Sequence, residues 1–310
     1  MNRTQWTVLL AFAGIYIIWG STYLAILVAL RDIPPFMMAS LRFLTAGVLL
    51  FGWCMVKKQP LPTAQSIGRN AFCGTLMLFG GTVSVTWAEQ YLPSSLAAII
   101  VTCLPFWFIL LDRKQWAYYF SNKVIILGLL VGFAGVALLF GFGSQSHITG
   151  GTNKLVICIL VILAGEIAWT VGSLYSKYRP ADGSLVMNAS IQLLATGVFT
   201  SLVSLLAGEH DKMAWTQVSI DSWLALAYLA TMGSIVAYLS YLYLLKMRPA
   251  AQVSTYVYVN PIVALLLGAL IASEPITWVQ IAALAIILGG VLLVNMPKYL
   301  PTLSKKVNPI

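Results

Sequence analysis

PSSLAAIIVTCLP at residues 93–105 returns as PAAQVSTYVYVNP at residues 249–261, with both prolines on the same thirteen-residue spacing. The echo extends outward from these two segments. LRFLTAG (Leu41–Gly47) is answered 150 positions later by IQLLATG (Ile191–Gly197), and Trp19 is answered by Trp169 at the same offset. Gly135 of FAGVALL pairs with Gly290 of LGGVLLV at an offset of 155. Self-similarity of this kind outranks any local reading of fold, so the chain reads as two copies of one unit. The copies occupy residues 6–140 and 155–295; residues 141–154 between them are a glycine- and serine-rich linker, and residues 296–310 are a tail.

Hydrophobic residues make up 60% of the chain and charged residues 9%, against about 25% charged in an ordinary soluble domain. Such a composition excludes a soluble globular protein and indicates an all-α integral membrane protein. Apolar runs of about 20 residues are needed to cross a hydrocarbon core of about 30 Å. They fall near 6–30, 34–56, 69–91, 93–111, 122–140, 155–176, 184–206, 219–244, 249–271 and 276–295, which makes ten spans, five per unit. The first run is long and lacks a small-residue cleavage site, so it reads as a span and not as a signal peptide.

Positive charge sets the orientation. Arg3, Lys57, Lys58, Arg69, Arg113, Lys114, Lys123, Lys177, Arg179, Lys246, Arg248, Lys298, Lys305 and Lys306 fall on one side, whereas Arg31, Lys154 and Lys212 fall on the other. Both termini are expected in the cytoplasm, in a multi-pass protein of the cell membrane. The net charge of +9 needs no nucleic acid to explain it, since basic loops hold to an anionic leaflet. Because five is odd, the second unit enters the membrane from the face opposite the first. Inverted repeats are a recurring plan of secondary transporters, with the substrate near mid-bilayer where the units meet.

YIIWGSTYL at 16–24, the prolines at 34 and 35 followed by RFLTAG, the proline-bounded fourth and ninth spans, and SEP at 273–275 together resemble the drug/metabolite transporter superfamily. Within it the chain is similar to the EamA-domain permeases of the YedA-like branch, over nearly its whole length; the order of the motifs carries the likeness, none being diagnostic alone. The resemblance implies ten helices, cytoplasmic termini, and a central cavity lined by helices one, three, four, six, eight and nine for export of a small metabolite, amino acid or toxic organic compound. Many members carry an acidic residue after the fourth span that matches Glu274 of the second unit. Here that region reads LLDRKQWAYY, and no role is carried over to Asp112.

Helical periodicity can be set beside that implied lining. Tyr16, Trp19 and Tyr23 share one face of the first span at i, i+3, i+7, the spacing of a helix stripe. Thr86 in the third span, Thr102 in the fourth, Trp169 and Ser173 in the sixth, Tyr238 in the eighth, and Gln252, Tyr256 and Asn260 in the ninth form the other polar or aromatic stripes. These residues are the candidate substrate contacts, although aromatic residues at helical spacing also arise from packing. The fifth span after Lys123 and the tenth from Ile281 to Val294 are glycine and apolar residues, which places them outside the pathway.

The intramembrane charges singled out are Glu166 near the centre of the sixth span, Arg42 in the second, and Glu89 near the end of the third. An intramembrane charge is a functional hypothesis by default. Glu166 is the candidate for substrate or proton binding, with protons as the coupling ion. The bland alternative is that Arg42 pairs with Glu89 or Glu166 and holds the bundle together.

Neither His147 nor His210 lies within a span, and no GxSxG, HExxH or GxxxxGK[ST] pattern occurs, so an enzyme, a metal or other cofactor, and nucleotide-driven transport find no support. Cys54, Cys73, Cys103 and Cys158 lie in spans and behave as small apolar residues. Gly128 and Gly132 form a GxxxG, consistent with a weak homodimer or with close packing inside a monomer. The leading reading is a secondary carrier for a small molecule. A nucleotide-sugar-type exchanger and a non-transporting membrane sensor are the alternatives.

Overall fold

In lipid an apolar chain satisfies its backbone polar groups internally by forming helices. The computed structural model describes residues 3–92, 94–142, 151–272 and 278–295, and holds no strand among them. In chain order the helices are α1 (Arg3–Ala29), α2 (Pro35–Val56), α3 (Ala64–Ala88), the short α4 (Ser94–Val101) and α5 (Leu104–Leu111), α6 (Trp116–Ser121) and α7 (Lys123–Phe142), α8 (Gly151–Tyr178), α9 (Leu185–Leu206), α10 (Ile220–Met247), the short α11 (Ala250–Val253), α12 (Tyr256–Ala272) and α13 (Trp278–Asn295). Six of them, α1, α2, α3, α8, α9 and α10, are long and apolar enough to cross a membrane. The pair α6–α7, bent by 93°, makes a seventh if counted as one span. The tail and SEP segment lie outside the described residues, as does most of the linker.

Helix starts follow local chemistry. Thr63, Ser184 and Ser219 cap α3, α9 and α10 by accepting the N–H of Ser66, Met187 and Ser222, each satisfying one orphan donor of a first turn. The Thr63 cap explains why the third span begins at Ala64 and not near 69. The fourth and ninth spans are not continuous helices. Pro105 has no N–H and its ring opposes the carbonyl four residues back, and α4 ends at Val101. Pro261 sits inside α12; the break there falls at 254–255, where the Ser254 and Thr255 hydroxyls donate to the carbonyls of Ala251 and Gln252 and compete with the helix ladder.

The most extensive interfaces join each helix to its own copy: α2 packs along α9, and α7 along α13. Small residues permit the approach. A Cβ on Gly47 would stand 2.8 Å from Leu194 Cγ, and one on Gly197 would stand 2.8 Å from Leu44 Cγ, a reciprocal pair. Gly128 and Gly132 are likewise used within the chain, against the backbone of α13 and the ring of Tyr258. Inside these pairs α1 packs on α12, α8 on α3 and on the broken α4–α5, and α10 on α1.

Two aspartate clamps 150 residues apart mark the ends of the bundle. Asp32, after α1, accepts from the N–H of Ser219 (3.0 Å) and the hydroxyl of Ser222 (2.7 Å) at the start of α10. Asp182, after α8, accepts from the hydroxyls of Thr63 (3.1 Å) and Ser66 (2.9 Å) at the start of α3. We call these ends the Asp32 face and the Asp182 face. Glu209, after α9, receives the N–H of Met37 at 2.7 Å and of Phe36 at 3.2 Å, so it caps α2 on the Asp32 face.

Candidate functional site

Both α3 and α10 carry a π-helical segment, Thr75–Val83 and Leu229–Ala237. π-turns inside α-helices often mark functional sites because they re-aim side chains and loosen backbone groups. The first of them borders a cavity of about 80 Å³. It is lined from α1 by Trp19, Thr22, Tyr23 and Ile26, from α2 by Arg42, from α3 by Gly81, Thr82 and Val85, from α4 by Val101, from α8 by Glu166 and Trp169, and from α12 by Tyr256 and Asn260. The second span is thus part of the lining through Arg42, and α10 stands behind it.

Aromatic rings close one side of the cavity. Trp19 meets Trp169 edge-on with ring centroids 5.6 Å apart, Tyr256 at 4.7 Å and Tyr241 at 5.3 Å; these are the offset and edge geometries that aromatic quadrupoles favour. The polar atoms of the layer are tied down. The Trp19 indole N–H donates to the Gly233 carbonyl (3.1 Å), the Trp169 N–H donates to the Tyr241 hydroxyl (3.0 Å), and that hydroxyl shares a hydrogen bond with Ser173 (2.6 Å). The amide nitrogen of Asn260 donates to the carbonyls of Tyr256 (3.0 Å) and Tyr16 (3.3 Å), and the Tyr16 hydroxyl bonds Thr255 Oγ1 at 3.0 Å.

The buried charges are held apart. Arg42 is 4% exposed and its Nε donates to Ser234 Oγ at 2.7 Å. Glu166, also 4% exposed, lines the same cavity with Oε2 lacking any hydrogen-bond partner. Both carboxylate oxygens of Glu89 lack a partner, and Glu89 senses Arg42 through space only. One guanidinium and one carboxyl therefore face a single aromatic-walled space without neutralising each other by contact.

Of the residues expected to line a site, Trp19, Tyr23, Trp169, Tyr256, Asn260, Glu166 and Arg42 come together in the cavity, and Tyr16 and Ser173 support the layer beneath it. Thr86, Thr102, Tyr238, Gln252 and Glu89 are buried but do not line it. Tyr238 donates its hydroxyl to Gln192 Oε1, and Gln252 bonds the side chain of Tyr118. Thr22 also lines the cavity, and Tyr241, three residues after Tyr238 on α10, completes the aromatic layer. Asp112 accepts from the hydroxyls of Tyr178 (2.6 Å) and Tyr119 (3.2 Å) and so ties α5, α6 and α8. Tyr119 is 1% exposed. Among the described residues no cluster of His, Cys, Asp and Glu could hold a metal ion, and all four cysteines are free.

Comparison with known proteins agrees with this architecture. A family model described as the EamA-like transporter family matches twice, over residues 5–141 and 156–296. The chain is 35% identical over 301 residues to YedA, an inner membrane transporter of Escherichia coli (strain K12), covering 97% of this chain and 94% of that protein. It is 26% identical to the transporter YvbV of Bacillus subtilis (strain 168), with 95% and 93% covered. A protein of known crystal structure, 18% identical, superposes with a TM-score of 0.74 over 97% of this chain and all of that one.

Proposed function

The chain belongs to the EamA-like transporter family of membrane proteins, and on that premise we propose that it is a secondary carrier whose substrate sits in the cavity between Glu166, Arg42 and the Trp19–Trp169 pair. The single observation that carries this reading is a guanidinium and a carboxyl group, not in contact with each other, facing one aromatic-walled space. A small zwitterion suits it. Its ammonium group would meet Glu166 among ring faces that attract cations, and its carboxylate would meet Arg42, whose planar fork matches it. A nucleotide-sugar substrate would need more than one cation for its phosphates, and the cavity lining supplies Arg42 alone.

The carrier is built as ten helices in two inverted five-helix repeats, 6–140 and 155–295, with the broken fourth and ninth spans counted as one each. Support comes from the two clamps: α1 ends at the Asp32 face, whereas its repeat partner α8 ends at the Asp182 face. Alternating access about this axis exports substrate from the cytoplasm, with a proton on Glu166 competing with substrate for the site. The Asp182 face is cytoplasmic, following the lysine and arginine bias, and the chain acts as a monomer because Gly128 and Gly132 are used internally. A cysteine at Ser144 should react with a membrane-impermeant reagent from outside and one at Ser304 should not; the reverse would overturn this orientation.

Counterflow in proteoliposomes tests the function. Purified protein loaded with each member of a panel of zwitterions, organic cations and nucleotide sugars should accumulate at least one zwitterion. Binding without flux would favour the sensor, and exchange of nucleotide sugars alone would favour the exchanger.

A further inference from the structure

On the Asp182 side of the aromatic layer lies a second, smaller polar pocket, whose lining includes Asn70, Ser176, Lys177, Asn188, Gln192 and Lys246. The repeat relates the two spaces. Ile26 and Arg42 line the cavity, and 150 positions on from them stand Ser176 and Gln192, which line the pocket. Between the two spaces stands the Trp169–Tyr241–Ser173 hydrogen-bonded layer.

The inner end of the pocket is closed by a chain of buried amides, while Pro180 and Lys246 at its outer rim are exposed. The Tyr238 hydroxyl donates to Gln192 Oε1, Gln192 Nε2 donates to Asn70 Oδ1 (2.9 Å), Asn70 Nδ2 donates to Asn188 Oδ1 (2.9 Å), and Asn188 Nδ2 donates to the Ala181 carbonyl (3.3 Å). The chain runs through α10, α9, α3 and the turn before α9. Lys177 braces the same region by donating from Nζ to the carbonyls of Leu245 (2.7 Å) and Arg248 at the end of α10. The other face is built differently. The repeat partners of Asn188 and Asn70 are Met38 and Leu226, at offsets of 150 and 156, and they pack in an apolar cluster with Ile26.

We propose that this pocket is the Asp182-face mouth of the substrate path and that the Tyr238–Gln192–Asn70–Asn188 chain is the latch that closes it off from the cavity. The proposal rests on the carrier reading above. An amide chain suits a seal that must open repeatedly: when the mouth floods, water replaces each lost partner, so the net hydrogen-bond cost of opening is small. Among the described residues the lining holds Lys177 and Lys246 and no carboxylate, so the mouth admits a molecule by its anionic end and disfavours one carrying positive charge alone.

Reciprocal thiol labelling tests this. In a background with Cys54, Cys73, Cys103 and Cys158 replaced by alanine, and in nanodiscs where both faces meet solvent, a water-soluble maleimide should label Ser173→Cys, in the buried layer behind the amide chain, more slowly than Thr22→Cys in the cavity. Adding Asn70→Leu or Tyr238→Phe should speed labelling at 173 by about tenfold, the effect of losing one buried hydrogen bond, and slow it at 22. Tyr238→Phe keeps the ring, so the test survives if Asn70→Leu misfolds. No change at 173, or faster labelling at both positions, overturns the latch. Counterflow by the parent protein separates the two ideas: a parent that transports but shows no reciprocity loses the latch alone, whereas a parent that exchanges nothing loses both.

Discussion

Trp19 donates its indole N–H to the carbonyl of Gly233 at 3.1 Å, and a Cβ on that glycine would stand 2.8 Å from Arg42 Nη2. One wall of the cavity and its lining arginine thus meet on a single π-helical turn of α10.

The neighbour of Gly233 is the far end of a long side chain, which can move. Gly233→Ala should therefore leave folded yield unchanged while displacing the guanidinium and raising the KM for substrate. Gly290 differs, because its Cβ would stand 2.5 Å from the backbone nitrogen of Gly132. Gly290→Ala should lower yield and thermal midpoint, at an overpacking cost of about 1–3 kcal/mol. Size-exclusion yield and counterflow for both variants check this, and equal yields would contradict it.

Asp32 should give the Asp32-face clamp a defined pH range. Hydrogen bonds from Ser219 and Ser222 hold its carboxyl below the usual carboxylate range. A carboxyl so depressed contributes stability that is complete above its unfolded value of about 3.9 and is lost as pH falls through the lower folded value. Hydrogen exchange at the Ser219 amide should be equally protected at pH 7 and pH 5, and protection should fail only in stronger acid. Asp32→Asn should weaken it at every pH. An Asp32→Asn protein protected like wild type at pH 7 would show that the clamp is idle.

Most helix positions were legible because apolar run length and proline spacing are local properties. The breaks at 102–103 and 254–255 were not, since equal prolines gave unequal breaks once the Ser254 and Thr255 hydroxyls joined in. The stripes carrying Trp19, Trp169, Tyr256 and Glu166 converge on one cavity, as helical spacing and depth suggest. Tyr238 instead reaches Gln192 on α9, a contact that periodicity alone does not reveal. Pairing between distant helices, such as Arg42 with Ser234 in place of a carboxylate, leaves no periodic trace in either segment.

Glu166 should couple transport to protons. One of its oxygens is unpartnered while the residue lines the cavity, so the carboxyl is free to exchange a proton for a substrate ammonium. Glu166→Gln keeps the shape and removes the titration. Transport driven by a pH gradient should vanish, while substrate exchange, which moves no net proton, survives in part. Full gradient-driven transport by this variant would reduce Glu166 to a structural role and make Glu89 the next carboxylate to test.

The central claim is that the space between the two tryptophans and the two charges holds the substrate. Counterflow by Trp169→Ala, compared with wild type at equal folded protein in the same liposomes, addresses it most directly. The account predicts a fall in exchange of the best zwitterion by more than about tenfold, because the substitution strips ring area from the wall that the substrate would cover. Exchange at the wild-type rate would contradict it and place the substrate elsewhere in the bundle.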